Sequence, residues 1–408
     1  MAVLAGCSSS TPAADTRAGD STRDSAARDI ARADADGAGD DAGVALPRCP
    51  QVTPTAPPVA LGLDPFYTQH VDAGGIPIVG SAKVPAAAFA QAYYILANIL
   101  RQRPCIRLAL IRARIRVGII ARDEVPTDMP EYSDLNTAFP GTDWNARGRG
   151  YGATLLRPLT SGAVENLLGE PGDRWFGELI LLHELAHTVF DHGVVVRDDG
   201  PAQAATLQAL YQAALAKGLW ANTYAASTVA EYWAEGVQDF FDDNKQASPP
   251  DGIHNHVNTR AELAAYDPDL SAFIGKQLAP PLAAAGCVPD GAIAWQDPTP
   301  ANPLAASCTF ASGYPDDEGC GATAPSASPP PPPTADAELV VVNRSHDQAV
   351  ELSWLDTNGQ AVARGSVPPR NQRTLASAVG QVYQLRRGGA CLATYRLRYP
   401  QRNIVAAE

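Results

Sequence analysis

A run of five consecutive prolines, residues 329–333, divides the chain into two parts that cannot share one regular element. Proline has no backbone N–H to donate and fixes its own φ angle, so such a run forms neither helix nor sheet and is a stiff extended spacer. Before the run, apolar residues recur at helical spacing; after it, short β-type runs alternate with turn residues. We therefore expect two folded parts joined by a proline-rich linker over residues 298–335.

The part before the linker, residues 47–297, is predicted to be a helix-rich domain with a small β-sheet. Residues 114–120 alternate in polarity and then become fully apolar, which is typical of a strand that enters a core. Residues 129–152 are rich in Gly, Asp, Asn, Pro and aromatic residues and indicate an ordered loop. Apolar residues at three- and four-residue steps predict helices over residues 84–101, 176–190, 203–215, 229–241 and, as one or two helices, 259–278.

The part after the linker, residues 336–408, is predicted to be a small all-β sandwich. Its β-type runs are separated by Asn-Gly, Pro-Pro and Gly-Gly turns and cover residues 339–342, 349–354, 379–385 and 391–397. The chain of 408 residues is too long for one ordinary core, so two or more domains are expected. Helices with a small sheet before the linker and strands after it make α+β the expected fold class.

The first 46 residues indicate export rather than a folded unit. Leu4-Ala5-Gly6-Cys7 is similar to a bacterial lipobox, so Cys7 is a candidate lipidated anchor to a membrane; the charged and apolar regions that normally precede a lipobox are missing, and a chance cysteine is the alternative. Residues 13–43 carry almost no large apolar side chain and predict a disordered tether. We expect an exported protein, either a bacterial lipoprotein at the cell envelope or a secreted one. The formal net charge of -13 argues against nucleic acid as a partner.

The cysteines support export. Setting Cys7 aside leaves six, and an even number in an exported protein favours disulfide bonds. No Cys-x-x-Cys pair occurs, which argues against a cysteine zinc site. Cys308 and Cys320 lie in one loop rich in Gly, Pro and Asp, so we expect these two to pair.

A His-Glu-x-x-His motif at residues 183–187 is the strongest functional signal. On the predicted helix, His183 and His187 project from one face one turn apart, where two imidazoles can share a Zn²⁺ ion. Glu184 follows the first histidine and is placed to act on a water at the metal. The alternative is a helix whose two histidines and one glutamate are surface residues.

A catalytic zinc also needs a third protein ligand. His192 is one candidate, but it follows His187 by five residues instead of the six of a metzincin. Glu231 is the better candidate, because a carboxylate from a second helix is the gluzincin arrangement. Glu235, one turn further along the same face, is expected to hydrogen-bond a ligating histidine, with direct ligation as the alternative.

With Tyr224 seven residues before Glu231, this set resembles the catalytic domain of anthrax lethal factor and its relatives. The resemblance implies that His183, His187 and Glu231 bind zinc. It also implies that Glu184 is the general base and that Tyr224 stabilises the oxyanion. The alternative for Tyr224 is a packed aromatic residue in the loop before the helix.

A wider similarity covers residues 126–274, which resemble a poorly characterised family of secreted gluzincin-like proteins. Its most specific part is the run Glu-Tyr-Trp-Ala-Glu-Gly-Val-Gln at residues 231–238. The resemblance implies a zincin-like catalytic domain and a zinc metallopeptidase that cleaves a peptide or protein substrate. The alternative function is a catalytically inactive zinc-binding scaffold with a protein-recognition β domain.

Residues 339–399 resemble the β domain of the von Hippel–Lindau protein, on motifs such as Leu352-Ser353-Trp354-Leu355-Asp356. The resemblance implies a β-sandwich that binds a protein ligand in a groove, where Ser377 and Trp354 match groove positions. Arg364, Gln381 and Tyr383 depart from the family at other groove positions, so the resemblance carries over the scaffold but not hydroxyproline recognition. A purely structural module is the alternative.

Two further sets of polar residues lie near the predicted site in sequence. His254 and His256 are interpreted as a solvent-exposed loop pair, with substrate contact as the alternative. Arg260 either clamps a carboxylate or carbonyl of a substrate or forms a structural ion pair.

Overall fold

The computed structural model of the chain describes residues 52–170, 172–278, 308–320, 327–330 and 335–408. These residues combine helices with several small sheets, so the expectation of a mixed α+β protein is confirmed. The predicted tether, Cys7 and most of the proline run lie outside the described residues. Among the described residues, no helix has the length and apolar character needed to cross a membrane.

The helix-rich part contains a four-stranded sheet. Its strands are β1 Gln69–Ala73, β2 Ile76–Gly80, β3 Arg116–Ile120 and β4 Leu159–Ala163. They lie side by side in this order; β1 and β2 form an antiparallel hairpin, and β3 and β4 add in parallel. The strand predicted over residues 114–120 is confirmed as β3, which begins only at Arg116 because Arg114 adopts a left-handed conformation with φ of 56°.

The helices predicted from periodicity are present. The α-helices of the described residues are α1 Ala86–Leu100, α2 Pro104–Arg112, α3 Leu135–Ala138, α4 Trp144–Arg147, α5 Val164–Leu167, α6 Ile180–Val189, α7 Gly200–Ala216, α8 Val229–Phe240, α9 Arg260–Tyr266 and α10 Pro268–Gln277. The helix predicted from residue 176 begins only at Ile180, because Gly177 has φ of 98° and Leu179 is extended. The predicted loop over residues 129–152 contains the short helices α3 and α4, and the sequence reasoning does not predict α2.

The helix α6 is buried along its whole length and packs against β4 and α8. Trp233 of α8 is buried, and its indole Nε1 donates to the carbonyl of Ala186 in α6 at 2.8 Å. Gly236 allows α10 to approach α8 closely, since a Cβ there would lie 2.5 Å from Leu270 Cδ2. These contacts fix the position of α6 relative to α8.

The β-rich part contains two four-stranded sheets. The strands are β5 Ser312–Gly313, β6 Ala337–Asn343, β7 Val350–Leu355, β8 Ala361–Val367, β9 Asn371–Ser377, β10 Val382–Arg387, β11 Ala390–Arg396 and β12 Arg402–Ala407. One sheet has the order β11-β10-β7-β8 and the other β5-β12-β6-β9. The four predicted β-type runs are confirmed in β6, β7, β10 and β11. The sequence reasoning does not predict β8 or β9, whose side chains are mostly exposed.

In the sheet β5-β12-β6-β9, strand β6 is buried on both faces over residues 339–342. In β6, Leu339 and Val341 belong to the core between the two sheets, whereas Val340 and Val342 join the core of the helix-rich part. Because successive side chains of a strand point to opposite faces, two buried faces require an apolar residue at every position. The unbroken apolar run over residues 339–342 has this explanation.

Polar contacts and strand pairing also join the two parts. The guanidinium of Arg344, a buried residue, donates from Nε to the carbonyl of Leu155 at 2.9 Å and pairs with Glu408 at 2.8 Å. Residues 308–320, which lie in the predicted linker, include β5, which pairs with β12, and Phe310, which forms a bridge with Arg197. This stretch is therefore ordered structure that contacts both parts.

The predicted pairing of Cys308 with Cys320 is wrong. Cys308 is bonded to Cys105 at the start of α2, and Cys320 is bonded to Cys391 in β11. The two cysteines are close in sequence, but residues 309–319 run from the helix-rich part to the β-rich part, so each cysteine meets a partner in a different part. Two disulfides agree with an oxidising compartment.

We expect the replacement of both Cys320 and Cys391 by alanine to lower the free energy of unfolding by about 4 kcal/mol, because the bond closes a long loop in the unfolded chain. Their separation along the chain is 71 residues. Urea denaturation would measure the change. Mass spectrometry of a non-reduced digest checks the pairing directly, and a linked peptide that joins Cys308 to Cys320 would contradict this structure.

Candidate metal centre

The helix α6 carries the His-Glu-x-x-His motif into the protein interior. His183, Glu184 and His187 are buried, and the ring centroids of the two histidines lie 4.8 Å apart. The four-residue spacing places both imidazoles on one face of the helix, as predicted. The alternative of a surface helix is wrong.

Glu231 of α8 meets the two histidines. Its Oε2 lies 3.0 Å from His183 Nε2 and 3.2 Å from His187 Nε2, and the two Nε2 atoms are 3.1 Å apart. Thr228 caps the start of α8, where its Oγ1 accepts a hydrogen bond from the backbone N–H of Glu231 at 3.1 Å. One ligand atom from each of His183, His187 and Glu231 lies within 4.8 Å of the others, so this buried group can hold a metal ion.

A glutamine from α8 sets the tautomer of the first histidine. The Oε1 of Gln238 lies 2.7 Å from His183 Nδ1, and an amide oxygen only accepts, so Nδ1 carries the proton. In a neutral His183 the unprotonated Nε2 then points its lone pair at the carboxylate of Glu231. Two acceptors at 3.0 Å repel each other unless a proton or a metal cation lies between them, so the arrangement fits a bound cation.

The pKa values follow this geometry. Burial disfavours a charged imidazole, but the hydrogen bond to Glu231 and the charges of Glu231, Glu235 and Glu184 raise the pKa of His183 to about 10. Burial disfavours ionisation of Glu231 as well, but hydrogen bonds with His183 and His187 hold its pKa well below the usual range. The carboxylate of Glu231 is therefore ionised, as a metal ligand must be.

The carboxyl group of Glu184 is set apart from the ligand group. It is fully buried, and neither oxygen has a hydrogen-bond partner among the described residues. Burial raises its pKa to about 7, although the charges of His183 and His187 lower it. Gly152 lies beside this carboxyl group, where a Cβ would be in contact with Glu184 Oε2 at 3.4 Å. An unpartnered carboxyl group with a pKa near neutrality is suited to accept and return a proton.

Tyr224 lies beside the same group, in the 3-10 helix Tyr224–Ala226. Its hydroxyl donates to Glu231 Oε1 at 3.0 Å, and its ring is stacked 6.4 Å from the ring of His183. The side chain is half-buried.

Glu235 is predicted to hydrogen-bond a ligating histidine, but it is not the nearest acceptor to His183 Nδ1. Glu235 Oε1 lies 3.4 Å from His183 Nδ1, whereas Gln238 Oε1 lies at 2.7 Å, and the sequence reasoning overlooks Gln238. Gln238 follows Glu231 by seven residues, two helical turns along the same face, which is the only signal that points to it. Glu235 contributes charge to the site and accepts from Asn244 at 3.2 Å.

The loop histidines differ from each other, and the prediction that both are exposed is wrong. His256 is exposed, but His254 is buried and its Nε2 lies 3.3 Å from Glu178 Oε2. The loop folds back over the end of α8, where the polar partner Glu178 makes burial of an imidazole tolerable. Arg260 forms a structural ion pair with Asp242 at 3.4 Å, the second of its two interpretations.

His192 lies outside the metal-ligand group of the described residues, as its spacing predicts. It belongs to a π-helix, Phe190–Val194, that follows α6, and its Nε2 lies 3.2 Å from the carbonyl of Ala153. Together with His187 and Gly152 it lines a cleft of about 650 Å³. Of the three ligand residues, His187 therefore borders a cavity large enough for several residues of a peptide.

The side chains expected from the resemblance to line a groove, Trp354, Ser377, Gln381 and Tyr383, bond to other groups within the chain. Trp354 Nε1 donates to Gln381 Oε1 at 2.7 Å, and Gln381 Nε2 donates to the carbonyl of Pro329 at 3.0 Å. Ser377 Oγ and the hydroxyl of Tyr383 are 3.0 Å apart. Trp354 also packs against the sandwich core.

The sequence matches no protein-family model, and no curated protein is found to be similar to it.

The buried carboxyl group of Asp239, in α8, makes the stability of the protein depend on pH. Burial and the charges of Glu235 and Glu262 raise the pKa of Asp239 well above its usual value, despite a hydrogen bond from Asn244. The folded protein therefore holds this proton more tightly than the unfolded chain. This tighter proton binding stabilises the folded state fully below about pH 4, which is the pKa of the group in the unfolded chain. The stabilisation is lost as the pH rises towards the pKa of the group in the folded protein.

We expect Asp239→Asn to raise the free energy of unfolding near pH 8 by about 1–3 kcal/mol, and to change it little near pH 4. Urea denaturation of the metal-free protein at both pH values measures the difference. Asp269→Asn is the control, because Asp269 forms an exposed ion pair with Lys217 whose loss costs little at either pH. A variant whose difference from wild type does not grow with pH would contradict the argument.

Proposed function

We propose that the protein is a zinc-dependent hydrolase, a metallopeptidase that cleaves peptide bonds in an exported setting. The observation that carries the proposal is the pairing of two features where α6 meets α8: a metal-ligand group of two imidazoles from α6 and one carboxylate from α8, and a separate, unpartnered carboxyl group on Glu184 of α6. A structural metal site needs the first feature alone. The second feature is what a hydrolytic site adds.

The donor set favours zinc. Two imidazole nitrogens and one carboxylate oxygen are the protein ligands of a common class of catalytic zinc site, which leaves one position open for water. Mg²⁺ and Ca²⁺ prefer oxygen ligands throughout, so two histidines argue against them. His183, His187 and Glu231 would hold the ion, and Gln238 would orient His183.

The chain's own residues supply the remaining chemistry. When bound, zinc lowers the pKa of a water molecule and polarises a substrate carbonyl. Glu184 accepts the proton of the attacking water and returns it to the leaving amine nitrogen, which its pKa of about 7 allows in both directions. Tyr224 turns its hydroxyl from Glu231 to the developing oxyanion and donates a hydrogen bond there.

The β-rich part and the disulfides complete the proposal. The two disulfides support an exported protein, either anchored through a lipid on Cys7 or secreted. The fold of the helix-rich part is proposed to be zincin-like, and that of residues 336–408 to be a von Hippel–Lindau-type sandwich with a protein ligand.

The decisive test combines metal content with hydrolysis. Wild type should contain about one zinc ion per chain and hydrolyse members of a peptide pool. Glu184→Gln should keep the zinc but lose at least about a hundredfold in kcat, since it removes the proton acceptor while preserving the side chain's shape. Glu231→Ala should lose both zinc and activity, whereas Glu351→Ala, a change of an exposed glutamate in β7, should lose neither.

The outcomes separate the two functions. Zinc bound by wild type without hydrolysis of any peptide, ester or amide pool would favour the inactive scaffold. Unchanged zinc content in Glu231→Ala would remove Glu231 from the ligand set.

Gln238 yields a separate prediction about affinity. Gln238→Met preserves the length of the side chain but removes the acceptor for His183 Nδ1, so we expect zinc affinity to fall by about 10–100-fold. Gln238→Glu keeps an acceptor and should restore the affinity. Competition with a chromogenic chelator measures both. Gln246→Met is the control, because the exposed side chain of Gln246 donates to the carbonyl of His256 and to no metal-ligand residue among those that the structure describes. Equal affinity for wild type and Gln238→Met would show that the hydrogen bond does not orient the ligand.

A further inference from the structure

The cleft beside the metal-ligand group has two walls of different origin. One wall comes from the helix-rich part and includes His187, His192 and the segment from Gly152 to Arg157. The other comes from the sheet β5-β12-β6-β9 and includes Ser312, Gln372, Arg402 and Ile404. A substrate that reaches His187 through this cleft therefore passes side chains of the β-rich part.

Arg402, at the start of β12, is the cationic residue of the sheet wall. Its Nε is buried and has no hydrogen-bond partner among the described residues. Its nearest carboxylate is that of Glu338, 4.0 Å from Nε, and both side chains are substantially exposed, at 41% and 59%. A contact at this distance between exposed groups contributes little, so the guanidinium keeps its capacity for a closer anionic partner.

Among the charged residues that line the cleft, Arg402 is the one available to bind an anionic group. Arg157 also lines the cleft, but its guanidinium is bound to Asp134 at 2.7 Å, and little of the side chain is exposed. Asp191 lies on the helical wall, where it repels an anion rather than attracting one. An anionic group in the cleft therefore finds its partner on the sheet wall, where the polar side chains of Ser312 and Gln372 accompany Arg402.

We propose that Arg402 determines substrate specificity: it binds an acidic side chain of the peptide, aspartate or glutamate, close to the bond that is cleaved. A guanidinium binds a carboxylate through two parallel hydrogen bonds, a geometry that an amide or an ammonium group of a competing peptide cannot match. The β-rich part is then one half of the substrate site, and its sheet wall selects what the metal-ligand group cleaves. This inference rests on the proposed hydrolase function.

The test measures binding, so that it does not depend on turnover. The protein is the full chain with the Glu184→Gln substitution, loaded with zinc. The probes are short fluorescein-labelled peptides of one sequence, in which a single Glu or Gln is placed at each position in turn, and fluorescence anisotropy gives Kd. At one position the Glu peptide should bind about tenfold more tightly than the Gln peptide, as a charge-assisted hydrogen bond provides.

Variants of the arginine then assign the preference. Adding Arg402→Gln should make the Kd values of the Glu and Gln peptides about equal. Arg402→Glu should make a peptide with Lys at that position bind more tightly than the Glu peptide. Arg398→Gln is the matched control, because Arg398 lies in the same part of the chain but pairs with Asp316 and Glu318 outside the cleft. Zinc content and thermal melting confirm that each variant folds.

Three results would overturn the inference: no preference for Glu at any position, a preference that survives Arg402→Gln, or no binding of either peptide. Failure of the hydrolase proposal is recognised separately, by a wild type that binds these peptides with the preference for Glu but cleaves none of them.

Discussion

Two unprotonated acceptors that face each other inside a protein need a cation between them, and the contact of α6 with α8 creates this situation. In neutral His183, Gln238 holds the proton on Nδ1 and leaves the Nε2 lone pair 3.0 Å from the carboxylate of Glu231. A metal ion there, or a second proton on the ring, which the raised pKa of His183 favours, supplies the positive charge. The indole of Trp233, bonded to the carbonyl of Ala186, prevents the helices from separating to relieve the repulsion. The need for positive charge at this point is therefore built into the packing of the helices.

Other buried carboxyl groups show that the region is arranged at the expense of stability. Burial raises the pKa of Glu235 to about 6 and that of Asp239 well above its usual value. Such groups cost free energy when ionised, and natural proteins retain them mainly where function requires them. The carboxyl group of Glu184, unpartnered and fully buried, follows the same pattern at the candidate site itself.

The sequence predicts best what depends on spacing. Helical periodicity locates α6 and α8, and the four-residue step of His183 and His187 places both rings on one face. Gln238 has no comparable signature, because many residue types can hydrogen-bond an imidazole and only the packed helices show which one does. Proximity in sequence predicts the wrong partner for Cys308, because a disulfide forms where the backbone brings two Cβ atoms close together in space. Likewise, the loop composition around His254 indicates exposure, but the buried partner Glu178 comes from a distant part of the chain.

Alternate side chains along β12 face different surroundings: one set packs in the sandwich core, and the other faces the helix-rich part and the cleft. Val405 and Ala407 point into the sandwich core, whereas Arg402 and Ile404 point towards the helix-rich part, and Arg402 reaches the cleft. The metal-ligand group lies on other elements and shares no residue with this strand. A substitution at a cleft-facing position of β12 therefore changes the lining of the cleft without altering a residue of the metal-ligand group. If the proposed hydrolase function is correct, this separation allows related proteins to differ in substrate preference while they keep the same metal site.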